Sequence, residues 1–173
     1  MDENIFAYFE LLEVMAFFAG YAILYAFVHV LADLGNIKFK EKIRSIIPLL
    51  PLSYVLTGLL FLGYLIKGVL LVNNQADGPI QIHIPLLHYV GLLSLLFWIP
   101  FFRKRAWLSL VHSLFFFSYI CLDLVKYLRN KIGVEILQND MKVLLDGVLI
   151  SFFSLLCLVL LSYAWARVRK GRA

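Results

Sequence analysis

Apolar residues fill five stretches of this chain almost without interruption, and polar residues collect between them. A membrane-crossing helix needs about 20 mostly apolar residues to cover about 30 Å of hydrocarbon. The stretches run over about residues 5–31, 46–72, 85–102, 107–127 and 143–165. The pattern predicts an all-α polytopic membrane protein, a single bundle of five transmembrane helices over residues 1–173. Local signals mark the ends. Gly35, with Asp33 and Asn36 beside it, stops the first helix. Pro48 and Pro51 fall in the first turns of the second, and Pro85 opens the third, where the missing N–H has no intrahelical partner to lose.

The links are short and polar. Residues 37–44 (IKFKEKIR) are basic, 73–84 (NNQADGPIQIHI) contain an Asp-Gly-Pro turn signal, and Arg103–Arg105 leaves room only for a tight helical hairpin. Residues 128–141 (LRNKIGVEILQNDM) form the longest link and are expected to carry a short surface helix. No internal repeat or low-complexity linker divides the chain.

Composition narrows the class. Hydrophobic residues make up 62% and charged residues 16%, with a mean hydropathy of +0.88. Soluble domains are about 45–50% apolar and about 25% charged, so a soluble enzyme, a nucleic-acid binder and a disordered scaffold are excluded. Cys121 and Cys157 both lie in apolar runs, with no CxxC. The start, MDENIF, is acidic, whereas a secretory signal needs a basic n-region, so the first helix is expected to be retained.

Charge gives the expected sidedness. Of 16 Lys and Arg, 11 lie in the first link, the third link and the tail. Basic loops stay cytoplasmic, which places the N-terminus outside and the C-terminus inside, most simply in a bacterial cytoplasmic membrane. Trp98, Trp107 and Trp165 map to the cytoplasmic ends of helices three, four and five, where indoles favour the interface. Ala16/Gly20, Ser109/Ser113 and Gly147/Ser151 are small residues four apart, the spacing that lets membrane helices approach closely.

Ionisable residues inside spans are costly, and each is a functional hypothesis by default. On a common depth scale Glu10, Glu13, Lys67, His88, Asp123, Lys126 and Asp146 all fall toward the extracytoplasmic ends. They suggest a polar vestibule for a small polar ligand, a lipid headgroup or a partner, with Glu10 and Glu13 able to pair with Lys67 or Lys126. The plainer alternative is that they snorkel to water and hold the helix ends together.

His29 and His112 both lie toward the cytoplasmic side, on helices one and four, and are a candidate pair of axial haem ligands, since a membrane b-type haem requires two imidazoles at matched depth on two helices. His29 and Asp33, one turn apart, could form a general base or hold a metal, although satisfied helix-end residues explain them as well. HExxH, GxSxG and GxxxxGK[ST] are absent, so neither catalytic chemistry nor a cofactor is expected. The basic first link could bind anionic lipid or simply enforce topology. The first-ranked function is an accessory subunit or small-ligand or lipid-binding bundle, whose partners are the bilayer, other membrane subunits or a second copy, and not nucleic acid. A small transporter or channel subunit comes second, with Tyr54, Thr57, Ser94, Ser118 and Ser154 as the only path candidates. A haem or quinone redox subunit comes third.

Overall fold

The computed structural model describes residues 3–34, 36–75 and 85–170, all of it helix and short connections. The first apolar stretch becomes α1 (Glu3–Phe18) and α2 (Gly20–Asp33). Ala19 joins them with helical dihedrals (φ −67°, ψ −37°), so the two form one rod. The basic link is itself a helix, α3 (Ile37–Arg44). Asn36 starts it by accepting a hydrogen bond from the Phe39 N–H at 3.0 Å, and Lys42 and Arg44 sit in its last turn, where cations suit the helix dipole. A 3₁₀ turn over Ile47–Leu49 leads into α4 (Leu50–Gln75).

The third apolar stretch differs from the expected helix over 85–102. It is α5 (Leu86–Leu92), tightened into a 3₁₀ segment over Leu93–Trp98. Pro100 ends it, because a proline disfavours the α conformation in the residue before it, and Ile99 is extended (ψ 130°). α6 (Pro100–Arg103) then turns into α7 (Ala106–Leu128). α7 closes on Asn130, which takes the left-handed conformation (φ 54°) while the Lys131 N–H reaches back to the Lys126 carbonyl at 2.9 Å.

α8 (Val134–Lys170) is longer than the expected 143–165 span and absorbs most of the expected surface link. Its first turns are polar, but Gly133 is the last residue before them that breaks a helix. Among the described residues, four helical stretches are long and apolar enough to cross a membrane: Glu10–Asp33, Ile37–Leu70, Ala106–Leu128 and Val134–Arg169. Leu86–Trp98 is apolar but shorter.

The core lies where α1, α2, α4, α7 and α8 meet, and Phe18 is its hub. Its ring packs against Tyr54, Phe61, His112 and Phe116. The small-residue stripes are the closest approaches. Gly20 lies against the backbone of Gly147 and Val148, and the Ser113 hydroxyl donates to the Phe18 carbonyl at 2.7 Å. Large apolar side chains such as Leu149, Phe152, Phe153 and Leu160 face outward on α8, as a lipid-facing surface requires.

Candidate functional site

The bundle has two chemically different ends. At the basic end the exposed Arg44 reaches Asp33 at 3.8 Å, and the start of α4 lies beside Arg103 and Lys104. At the acidic end the ionisable residues that pair with one another fall into two groups on different faces of α1. Tyr8 and Glu13 are five residues apart, which turns their side chains about 140° from one another.

The first group is Glu13 with His88. Glu13 Oε2 lies 3.5 Å from His88 Nε2, and the imidazole stacks on Phe61 with centroids 5.7 Å apart. His88 is buried, and its Nδ1 has no hydrogen-bond partner among the described residues. Gly91, one turn further, faces the rings of Phe18 and Phe61, and this holds α5 against α1 and α4.

The second group joins α1, α7 and α8. The Tyr8 hydroxyl donates to Asp140 Oδ1 at 3.1 Å. Asp140 is fully buried, and its other oxygen has no partner among the described residues. Asp123, also buried, pairs with Lys126 and is close enough to act electrostatically on both Tyr8 and Asp140. With both carboxyls ionised, the single ammonium leaves the group one positive charge short.

The seven expected vestibule residues are therefore not gathered into one cluster. Glu13 meets His88, and Asp123 meets Lys126. Lys67 and Asp146 are exposed, and Glu10 is half-buried with no ion pair to the other six among the described residues. His83, which precedes the third apolar stretch in the sequence, lies outside the described residues. Asp140 was not among the expected site residues, yet it lies on the stripe Ile136–Asp140–Gly147–Ser151 that α8 turns inward. Continuing the helical repeat backward from Gly147 finds Asp140 and leaves Asp146 outside.

The candidate haem histidines are not brought together. His112 packs against Phe18, and His29 is eleven residues further along the same rod, about 16 Å by helical rise. Two axial ligands of one iron need matched depth. His112 instead donates from Nε2 to the Val90 carbonyl at 2.9 Å and accepts at Nδ1 from the Tyr54 hydroxyl at 2.6 Å. His29 uses Nδ1 on the Tyr25 carbonyl at 3.0 Å and stacks on that ring, while Asp33 faces Arg44 rather than His29. No group of three or more metal-ligating side chains occurs among the described residues. Comparison with protein-family models, with curated proteins and with solved structures finds no match for this chain.

Proposed function

We propose that the protein is a non-catalytic bundle of a bacterial cytoplasmic membrane that works by binding at its acidic, extracytoplasmic end. The cationic group of a small ligand or of a partner subunit is received between Asp140, Asp123 and Tyr8. The single observation that carries this reading is the fully buried Asp140 carboxylate with one oxygen unpartnered among the described residues, beside a second carboxylate that Lys126 already balances. A buried charge without a partner costs several kcal/mol, and a bound cation offsets that cost.

The placement rests on a reading of five crossings. The starts of α4 and α7 lie side by side, Pro51 near Ala106 and Tyr54 bonded to His112, which favours a return of the chain between them. In Leu86–Trp98 the 3₁₀ portion rises about 2.0 Å per residue instead of 1.5 Å, which stretches its 13 residues to about 22 Å. With α6 the segment approaches the thickness of the hydrocarbon. Reporters fused after residues 105 and 173 should be cytoplasmic and one after residue 131 extracytoplasmic. The reverse pattern removes the placement.

Binding is tested by thermal unfolding of the detergent-purified protein at constant ionic strength, with ethanolammonium chloride as probe and sodium chloride as reference. A probe at 100 times its Kd should stabilise the wild type by about 2.7 kcal/mol. Asp140→Asn, which keeps the shape and removes the charge, should fold and lose the response. Asp146→Asn should keep it. Equal responses in wild type and Asp140→Asn defeat the reading.

A second reading, a small carrier, is favoured by a seam of buried hydroxyls through the middle of the bundle. Thr57 donates to Ser154 at 3.3 Å, and the hydroxyls of Ser94 and Ser151 are buried without partners among the described residues. Of the expected path residues, Thr57, Ser94 and Ser154 are on the seam, Tyr54 is bonded to His112, and Ser118 is exposed and bonded to the Phe115 carbonyl. A carrier requires cation flux in proteoliposomes, whereas a binding bundle shows none.

A further inference from the structure

The basic end carries a different arrangement, independent of the acidic-end reading. Two cavities flank the turn from α6 to α7. One, of about 260 Å³, lies between the 3₁₀ segment, α6 and α7, and is lined by Leu93, Leu96, Phe97, Phe102, Leu108 and Val111. His112 is the polar residue in this lining, and both of its ring nitrogens are engaged with Val90 and Tyr54. The wall therefore offers a ligand no free hydrogen-bonding group. Leu93, Leu96 and Val111 are exposed on the surface of the bundle, so the groove opens sideways toward the surrounding lipid.

The other cavity, of about 370 Å³, lies between the 3₁₀ turn and first residues of α4 (Pro48 and Pro51) and Arg103, Lys104 and Ala106. Neither Arg103 nor Lys104 has an ion-pair partner among the described residues, while Arg105 is turned over the Phe101 ring at 4.6 Å. Ala106 opens α7, and the preceding Arg105 supplies no side-chain cap, so the first N–H groups of that helix add to the positive potential. Trp98 and Trp107 are exposed on either side of the turn, a position at which indoles mark headgroup depth.

We propose that this turn is a binding site for one anionic phospholipid. The phosphate is held by Arg103 and Lys104, and one acyl chain lies in the groove between Leu96, Phe102, Leu108 and Val111. Charge complementarity selects the headgroup, and the apolar wall beside it selects a chain rather than a free phosphate. The order of the parts matches a lipid, with cations at the level of the tryptophans and the groove extending from there into hydrocarbon depth.

The test is native mass spectrometry of the full-length protein released from nanodiscs containing equal phosphatidylglycerol and phosphatidylcholine. Wild type should retain one phosphatidylglycerol with a preference of about tenfold or more, since each basic residue near an anionic surface contributes about fivefold. Arg103→Gln with Lys104→Gln should bring the preference close to one. Val111→Trp, filling the groove, should lower retention of both lipids together, and Leu96→Trp, at another exposed position of the lining, serves the same purpose. Excess glycerol 3-phosphate should not displace the lipid. Equal retention of the two lipids by wild type, an undiminished preference in the double variant, or displacement by glycerol 3-phosphate overturns the proposal.

Discussion

Gly20→Val should abolish the folded bundle, while Gly63→Val in α4 leaves it intact. At Gly20 an added Cβ falls on the backbone of Gly147 and Val148. From the other side, a Cβ on Gly147 would lie 3.0 Å from the Ala16 carbonyl oxygen and from Gly20 N. Backbone stands against backbone here, and no flexible side chain can move aside. Overpacking usually costs about 1–3 kcal/mol where neighbours can adjust, so the cost here exceeds about 3 kcal/mol. At Gly63 an added Cβ meets nothing within 4 Å. Size-exclusion profiles and thermal unfolding in detergent distinguish the two. A monodisperse Gly20→Val protein with wild-type stability would show that α2 and α8 do not cross at these glycines.

The second large effect is expected at His112. His112→Leu keeps much of the volume but removes both hydrogen bonds that tie α7 to α4 and α5, and leaves the fully buried Tyr54 hydroxyl without its acceptor. Interhelical hydrogen bonds in membrane proteins contribute about 0.6 kcal/mol on average and at most about 1.7. Losing two should cost about 1–3 kcal/mol. Tyr54→Phe should cost part of this, and the double variant less than the sum, because the two side chains share one bond. Unfolding by denaturant or heat in detergent measures it. Additive losses in the double variant would separate the two residues and remove His112 from its place as the joint of the bundle.

Much of the helical architecture was legible because lipid and backbone impose simple rules. Long apolar runs became helices, and proline and glycine marked their ends. Two boundaries moved for identifiable reasons. The third stretch stops at Trp98 because Pro100 holds Ile99 in the extended conformation. The last helix begins at Val134 because polar residues such as Glu135 and Gln138 favour helix as readily as apolar ones, and hydropathy does not see them. The candidate site was less legible. Hydropathy and depth place Asp123 and Asp146 alike at one end of the bundle, yet Asp123 is buried and Asp146 is exposed. Which side of a helix faces inward depends on its neighbours, and an all-apolar span carries no amphipathic stripe to reveal it.

The amino-acid order alone determined the helical class, the apolar stretches and the segregation of basic residues into three segments, because each depends on composition within a short window. The tertiary structure decided the partners. It crossed α2 over α8 at two glycines, set Tyr8 against Asp140 across 132 residues, separated His29 from His112, and placed Arg103 and Lys104 beside an apolar groove. These outcomes depend on rotation and depth of one helix against another, set by backbone approach and buried hydrogen bonds between residues far apart in the chain.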